Sequence, residues 1–342
     1  MKLRFAPYSL PLRSPLKTAR GTIEQRDGFQ IWIGTGRGEA APLPAFGTES
    51  LAECEAALEG ARAGLSRAPA PETVYDVEAL LDGIPRAARY GIELALLDDL
   101  ARRREVPLAR VLSKDAAPEV PVCALLGADE PAALAREARA AVQRGFRTVK
   151  LKVAQGALED DFARAAVVRD AAGPEVRLRI DANAGWNEEE AVSALRRLSP
   201  LGIELCEEPV GDPSALRRLK GATEIPIAAD ESFTASSHRE RLFECADVVV
   251  LKPAALGGLL PALRWARRAR ERGIHPLVTT TLDGAIARAG AAHLAAAILG
   301  DGPAPDAGLA TGRLLAQDLC EDPAEPRDGR VRIGAAAGLG IP

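Results

Sequence analysis

The amino-acid sequence predicts an α/β fold: a (β/α)8, TIM-type barrel with an N-terminal α+β capping domain that the C-terminal tail completes. From about Val120 onward, short apolar runs alternate with Ala-, Leu- and Arg-rich stretches of helical periodicity, at about 25 residues per unit. Each run is nearly continuous, which is typical of parallel strands covered by helices. No GxGxxG motif follows an early strand, so a closed barrel is favoured over an open, doubly wound sheet.

The predicted capping domain comprises residues 1–118, whose pattern differs from the strand–helix repeat. Strands of a small antiparallel sheet are expected at residues 1–7, 29–34 and around Glu39, and helices at residues 51–64, 75–81 and 85–104. Two polar segments marked by proline and glycine, residues 11–26 and 41–50, are interpreted as loops. They are expected either to fold over the barrel mouth as lids or to be plain surface loops.

The predicted barrel occupies residues 119–321, and the tail at residues 322–342 is expected to return to the cap. Its strands are predicted at residues 120–125, 148–153, 176–181, 203–208, 227–230, 247–252 and 275–279, with a weaker eighth near residues 308–311. Its helices are predicted at residues 131–144, 158–171, 188–197, 213–220, 238–245, 261–272 and 285–299.

Composition and charge narrow the function classes. The 44 Lys and Arg residues against 48 Asp and Glu give a net charge of −4, and aromatic residues make up only 4%, so a nucleic-acid partner is disfavoured. No uncharged apolar stretch reaches the ~18 residues of a membrane span and no signal-peptide core is found at the start, so no membrane association and a cytoplasmic location are expected. The five scattered cysteines are expected to be reduced thiols. The oligomeric state is left open.

The strongest functional signal is that charged residues end successive predicted strands. Their spacings of 29, 26, 23 and 22 residues match the strand–helix unit, and the residues are Lys152, Asp181, Glu207, Asp230 and Lys252. In a parallel barrel this phase places all five at the C-terminal face, where barrel active sites form. An isolated Asp after a strand is often a helix N-cap, but lysines do not cap helix N-termini, so five independent caps are disfavoured.

Three of these residues, Asp181, Glu207 and Asp230, are candidate metal ligands. Carboxylates that converge on one barrel mouth repel one another and raise their own pKa values unless a cation neutralises them. Oxygen ligation without His or Cys favours a hard ion, so Mg²⁺ is the expected cofactor, with Mn²⁺ as a substitute. The alternative is a salt-bridge ring with Lys152 and Lys252.

Lys152 and Lys252 flank the carboxylates in strand order and are the candidate catalytic residues. A lysine close to Mg²⁺ and to another lysine has its ammonium form disfavoured, which lowers its pKa toward the range of a general base. Lys150 lies two residues before Lys152, on the same face of the strand, and adds to this effect. The set indicates abstraction of a proton next to the carboxylate of a small-molecule substrate, with the metal holding the resulting enediolate.

The segments around these residues resemble the muconate-lactonizing subgroup of the enolase superfamily. They read TVKLK at residues 148–152, RIDANAGWN at 179–187, EEP at 207–209 and ADES at 229–232, followed by Lys252. The resemblance covers nearly the whole chain and implies the same roles: Mg²⁺ on the three carboxylates and an opposed acid/base pair of lysines. The mandelate racemase branch would instead place a catalytic His on strand seven, but His275 lies at that strand's N-terminal end.

The N-terminal segments resemble one family within this subgroup, the o-succinylbenzoate synthases of menaquinone biosynthesis. They read YSLPL at residues 8–12, RDGF at 26–29 and GEAAPLPAF at 38–46. The resemblance implies a lyase that dehydrates 2-succinyl-6-hydroxy-2,4-cyclohexadiene-1-carboxylate. The alternative is a dipeptide epimerase or N-acylamino-acid racemase that uses the same lysine pair. Dipeptide epimerases of the subgroup typically carry an Asp-x-Asp at the end of strand seven, whereas this chain reads TTTLDG at residues 279–284.

Seven further residues are predicted to bind the substrate because they lie on the predicted lids or at strand ends: Arg20, Phe46, Lys150, Asn183, Thr279, Thr281 and Asp283. Arg20 and Phe46 are expected to close over the substrate, and residues 279–283 to line its far wall.

Overall fold

The structure, a computed structural model, describes residues 1–18 and 21–341. The capping region begins with an antiparallel sheet in the order β1-β2-β3, formed by β1 (Leu3–Thr18), β2 (Gly21–Ile33) and β3 (Gly36–Ala40). Four helices follow: α1 (Leu51–Arg67), α2 (Val74–Ala79), α3 (Arg86–Arg103) and α4 (Leu108–Leu112). Helix α3 is buried along most of its length and packs against β2 and β3.

The loop predicted at residues 11–26 is wrong, because residues 11–18 belong to strand β1 and residues 21–26 to strand β2. The two strands pair from Leu3 and Ile33 outward, with a register shift between Pro11 and Leu16. Strand β1 lies at the edge of the sheet. Proline is tolerated there because it lacks an N–H, and the outward side of an edge strand has no neighbouring strand to accept a hydrogen bond. The second predicted loop, residues 41–50, contains only a 3-10 turn at Pro44–Phe46.

The barrel wall is a parallel sheet of seven strands that follow one another in chain order. After β4 (Glu119–Pro121), which lies outside this sheet, the strands are β5 (Ala124–Leu126), β6 (Thr148–Lys152), β7 (Arg177–Asp181), β8 (Ile203–Glu207), β9 (Ile227–Ala229), β10 (Val248–Leu251) and β11 (His275–Val278). The helices are α5 (Pro131–Gln143), α6 (Leu158–Ala172), α7 (Glu188–Leu198), α8 (Pro213–Lys220), α9 (Glu231–Ala235), α10 (Pro253–Leu256), α11 (Leu259–Glu271) and α12 (Ala285–Gly300).

These elements confirm the predicted fold class and most of the predicted barrel strands and helices. The helix predicted at residues 238–245 is a 3-10 helix at Arg239–Glu244, and the first predicted strand is divided between β4 and β5. No helix in the described part of the chain is both long and apolar enough to cross a membrane.

The eighth strand is reduced to two residues, and these close the barrel. Ala307 forms a parallel bridge with Val122, and Gly308 forms one with Thr279, so residues 307–308 lie between the first and last strands of the sheet. Through residue 341 no α-helix follows them. A cavity of about 590 Å³ remains outside the wall, next to Ala124 and Leu126 of β5, and none of the predicted metal ligands or catalytic lysines lines it.

The C-terminal tail contacts both the barrel and the capping region. Strand β12 (Arg330–Arg332) pairs with β4, and the carbonyl of Gly338 accepts a hydrogen bond from the N–H of Leu108 at 2.8 Å. The N–H of Leu339 donates to Asp98 on α3 at 2.7 Å. The boundaries at residues 118 and 321 remain a prediction.

Two buried carboxylates of the capping region cap barrel helices whose own N-cap residue is glycine. Glu39 on β3 accepts hydrogen bonds from the N–H groups of Gly284 (2.6 Å) and Ala287 (2.9 Å) at the start of α12. Glu93 on α3 does the same for α11 through the N–H groups of Leu259 and Leu260. Glycine has no side chain to cap a helix, and in both helices a glutamate from the capping region takes this role. These hydrogen bonds join the cap to the barrel.

Candidate active site

The five predicted strand-end residues lie at neighbouring positions on the C-terminal rim of the barrel. Lys152, Asp181 and Glu207 are the last residues of β6, β7 and β8, and they pair in register across the sheet. Asp230 follows β9 directly, and Lys252 follows β10. Because β6 and β10 are separated by three strands in an eight-stranded barrel, Lys152 and Lys252 enter the mouth from opposite sides.

Lys150 bridges two of the predicted metal ligands. Its Nζ lies 2.8 Å from Oδ2 of Asp181 and 2.5 Å from Oε2 of Glu207. Burial opposes the ammonium form of Lys150, but the attraction of Asp181, Glu207 and Asp230 outweighs it and raises the pKa of the lysine well above its ordinary value. Burial, together with the neighbouring carboxylates, raises the pKa of Glu207. Burial opposes the charge of Asp181, but the positive charges of Lys150 and Lys152 outweigh it and lower the pKa of this carboxyl group.

Lys252 forms a second buried ion pair on the opposite side of the mouth. Its Nζ lies 2.7 Å from Oδ2 of Asp230 and 5.0 Å from the centre of the Phe46 ring, so the ring contributes a cation–π contact. Burial opposes the charge of Lys252, but Asp230 and Glu231 outweigh it and raise its pKa.

Lys152 differs from these two lysines because it forms no ion pair with any residue in ranges 1–18 and 21–341. Its Nζ donates to Oδ1 of Asn183 at 2.6 Å, and Nδ2 of Asn183 donates to Oε1 of Glu231 at 3.0 Å. Asn183 and Ala184 adopt left-handed backbone conformations, with φ of 45° and 60°, which turn the chain at the end of β7. The turn presents the amide side chain to Lys152.

Glu208 and Glu231 extend the acidic cluster, and sequence analysis assigned them no role. Glu208 accepts hydrogen bonds from the N–H groups of Asp230 (2.6 Å) and Ser232 (3.1 Å), so it fixes the backbone that carries a predicted ligand. Burial is the main cause that raises the pKa of Glu208 to about 8 and that of Glu231 to about 7. The sequence feature that could have revealed these two residues is that each directly follows a predicted metal ligand, Glu207 or Asp230. A second acidic residue at such a position is not needed as a ligand, which suggests a supporting role.

The chemistry of the three predicted metal ligands suits a hard divalent cation. Asp181, Glu207 and Asp230 are buried, supply only oxygen donors and crowd negative charge at one rim. Within the described ranges no group of three or more His, Cys, Asp or Glu side chains is arranged to hold a metal ion, and the ammonium groups of Lys150 and Lys252 lie against these carboxylates. The donor set therefore fits the predicted ion, and the side chains that neutralise it here are Lys150 and Lys252, whereas Lys152 forms no ion pair with it in the described ranges.

A cavity of about 370 Å³ opens at this rim and brings together most predicted substrate-binding residues. It is lined by both predicted catalytic lysines and by Phe46, Lys150, Asn183, Thr279 and Thr281. Asp283 does not line it: this side chain is buried and accepts hydrogen bonds from the N–H and the hydroxyl of Thr281, at 3.2 and 2.5 Å. Arg20 lies outside the described residues. We call residues 41–47 the Phe46 segment and residues 279–284 the far-wall loop.

Comparisons with known proteins place this geometry in a family. Residues 133–342 match the family model described as enolase C-terminal domain-like. The L-Ala-D/L-Glu epimerase of Bacillus subtilis (strain 168) is 31% identical over 313 residues, which cover 86% of this chain and 84% of that protein. The o-succinylbenzoate synthase of Thermobifida fusca is 39% identical over 200 residues, or 56% of this chain and 60% of that protein.

The fold is also that of solved structures. A dipeptide epimerase from Enterococcus faecalis, crystallised with Mg and the dipeptide L-Leu-L-Tyr, superposes with a TM-score of 0.87 at 29% identity, covering 99% of this chain and 98% of that one. The match extends over cap and barrel together, and the strand-end lysines and carboxylates lie where barrel enzymes carry their chemistry. The chain therefore belongs to the enolase superfamily.

Proposed function

We propose that this protein is a Mg²⁺-dependent carbon–oxygen lyase that dehydrates 2-succinyl-6-hydroxy-2,4-cyclohexadiene-1-carboxylate to o-succinylbenzoate. The observation that carries the proposal is the asymmetry of the lysine pair. Lys252 is held as an ammonium by Asp230, whereas Lys152 has an amide partner and no ion pair in the described ranges. A one-base elimination needs one lysine that exchanges protons and one that stays charged.

Asp181, Glu207 and Asp230 are the residues that would hold the metal. When bound, Mg²⁺ withdraws negative charge from the substrate carboxylate, which makes the neighbouring C–H more acidic.

In the proposed reaction Lys152 both removes the substrate proton and returns it to the leaving hydroxyl. Its neutral Nζ takes the proton from the ring carbon next to the carboxylate, and the electron pair of that C–H bond becomes the new ring double bond. The C–O bond to the ring hydroxyl breaks, and the ammonium of Lys152 returns the proton to it, so that water leaves and the ring becomes aromatic. Lys252 stays cationic and stabilises the negative charge that develops on the substrate.

The composition of the cavity wall supports a substrate without an ammonium group. Among the residues that line the 370 Å³ cavity, the carboxylates are Asp181, Asp230 and Glu231, all on the metal side. On the far-wall loop, Asp283 is buried and bonded to Thr281, so it faces away from the space where a dipeptide ammonium would bind. The wall residues that do line this space are Thr279, Thr280, Thr281 and Leu282, none of which carries a negative charge.

The second candidate is a racemase or epimerase that uses both lysines as bases. The 31% identity to the Bacillus subtilis epimerase over most of both chains favours it, and so do the opposed positions of Lys152 and Lys252. A racemase needs a neutral lysine on each face of the substrate, because the proton leaves one face and returns on the other.

A direct assay separates the two candidates. With Mg²⁺, we expect an absorbance change as the cyclohexadiene becomes aromatic, and no α-deuterium in dipeptides incubated in D₂O. Lys252→Arg keeps the positive charge and should retain appreciable dehydration, whereas Lys152→Arg should reduce kcat by at least roughly a thousandfold. Near-normal dehydration by Lys152→Arg would overturn the assignment, and α-exchange that needs both lysines without any dehydration would establish the racemase.

A further inference from the structure

Arg26 on β2 is a buried arginine of the cap that the chemistry described above does not use. Its side chain is only 2% exposed, and its guanidinium forms no ion pair with the residues described here. Instead it donates to three backbone carbonyls: Nη2 to Ala41 (2.7 Å), Nη1 to Pro42 (3.0 Å) and Nε to Leu282 (3.2 Å). Burying a charge that only backbone carbonyls satisfy costs free energy, so the presence of Arg26 at this position indicates a role beyond filling space.

The three carbonyls belong to two segments that both contribute lining residues to the cavity. Ala41 and Pro42 begin the Phe46 segment, and Leu282 lies in the far-wall loop. Leu282 has a left-handed φ of 60°, a sparsely populated conformation that the surrounding structure must hold, and the hydrogen bond from Arg26 to its carbonyl is one contact that does so. Phe46 and Leu282 both line the cavity, whereas Arg26 lies behind them.

Arginine is the side chain that can hold this arrangement. Its planar guanidinium presents five N–H groups in a fixed fork, so one group spans both segments at a set distance. Lysine has a single donor atom on a flexible stem and cannot reach the same three carbonyls with that geometry. Glu39 reinforces the far side, because it accepts from the N–H of Gly284 at 2.6 Å.

We propose that Arg26 is a positioning residue that sets the width of the substrate cavity between the Phe46 segment and the far-wall loop, and thereby selects substrates by the size of the group placed there. The inference rests on the proposed function for the identity of the substrate. The positioning role itself does not depend on it.

Arg169 is a matched control at the opposite end of the barrel. Its guanidinium also joins two segments through carbonyls, those of Gly173 and Val176 before β7 and those of Leu201 and Gly202 before β8, at 2.6 to 3.0 Å. These segments precede the strands, so they lie at the face away from the active site. Replacing Arg169 removes the same kind of contact without touching the cavity.

The first test needs no substrate. Phe46→Trp places a reporter on the Phe46 segment, and the same protein without this change gives the background of the native residues Trp32, Trp186 and Trp265. Combined with Arg26→Met, the reporter should emit at longer wavelength and be quenched about threefold more by acrylamide, because the segment has lost its anchor. Arg26→Gln, which keeps one donor group, should be intermediate, and Arg169→Met should leave the reporter unchanged.

The second test is kinetic. Arg26→Met should raise KM for the cyclohexadiene substrate roughly tenfold with a smaller effect on kcat, and Arg26→Lys should restore little of it. The ratio of kcat/KM values between this substrate and an N-succinyl amino acid should also change. If the native protein dehydrates nothing, the proposed function fails, and the reporter alone decides the positioning role.

Three outcomes would overturn the inference. The first is an unchanged reporter in both Arg26 variants. The second is a reporter that shifts equally with Arg169→Met. The third is failure of Arg26→Met and Arg26→Gln to fold where Arg169→Met folds, which would make Arg26 a residue of general stability.

Discussion

Two sets of buried carboxylates differ in the groups that satisfy them. At the barrel mouth, Asp181, Glu207 and Asp230 contact the ammonium groups of lysines. At the cap–barrel interface, Glu39 and Glu93 accept hydrogen bonds from backbone N–H groups at the starts of α12 and α11. The first set lies at the rim of a cavity, and the second is packed between elements.

The difference indicates which carboxylates are free to take part in chemistry. Backbone N–H groups at a helix start are fixed by the helix, so Glu39 and Glu93 have one arrangement. Lys150 carries its ammonium on a flexible four-carbon stem and can move away from Asp181 and Glu207 when a divalent cation binds. The mouth carboxylates can therefore exchange partners, whereas the interface carboxylates hold the two parts of the fold in the relation that the cavity requires.

The largest expected effect is that of metal removal. Dialysis against EDTA should abolish dehydration, and added Mg²⁺ should restore it, because only the mouth carboxylates take a cation in this view. The interface does not depend on the metal, so the unfolding temperature at low Mg²⁺ should fall only slightly. Full activity after chelation, with metal content verified by elemental analysis, would contradict the proposed role of the mouth set.

Neutralising one mouth carboxylate should separate activity from stability. Glu207→Gln should lower kcat/KM by about a thousandfold or more, because it removes a ligand. It should leave the free energy of unfolding unchanged or raise it, since burial and neighbouring carboxylates disfavour the charged form of Glu207. A variant that keeps its activity but unfolds more readily would show that Glu207 is structural like the interface set.

Removing an interface carboxylate should have the reverse effect. Glu93→Ala should cost about 3 kcal/mol of unfolding free energy, because it leaves the first N–H groups of α11 without an acceptor and Arg89 without its buried partner. Denaturant titration measures this loss, and activity per folded molecule should stay within about threefold. Glu59→Ala on the exposed face of α1 is the control, and it should change stability by less than about 0.5 kcal/mol.

The smallest effect expected is a pH dependence of stability that comes from Glu93. Burial raises its pKa from 4.5 to about 7 in the folded protein. The folded state therefore binds more protons than the unfolded state between pH 4.5 and 7, and this contribution to stability is present below pH 4.5 and lost as the pH rises through 7. Relative to Glu93→Gln, the native protein should lose on the order of 1–3 kcal/mol over this interval.

His293 contributes to the same pH profile with the opposite sign. Burial lowers its pKa from 6.5 to about 4, so stability is lost as the pH falls from 6.5 toward 4. The comparison of native protein with Glu93→Gln cancels this term, because His293 is present in both. Equal pH profiles for the two proteins would show that Glu93 does not titrate in this interval.

Local patterns predicted the barrel and its rim. A strand of nearly continuous apolar residues is followed by a charged residue at each of five positions, and the parallel topology then requires that these residues share one face. The residue types and their order were therefore enough to identify Lys152, Asp181, Glu207, Asp230 and Lys252 and to place them together. The strands at residues 11–18 and 21–26 were predicted to be a loop, because prolines on an edge strand resemble the composition of a loop.

The sequence by itself determined that the five charged residues at the strand ends share the barrel mouth, because their spacing follows the strand–helix period that any parallel barrel imposes. Only the tertiary structure decided which groups meet: Lys150 rather than Lys152 with Asp181, Glu39 and Glu93 with the glycine-capped helices, and Arg26 with both walls of the cavity. The contacts of Glu39, Glu93 and Arg26 join residues far apart in the chain through backbone N–H and C=O groups. Every residue carries such groups, so no local pattern marks the ones that a distant side chain will bind.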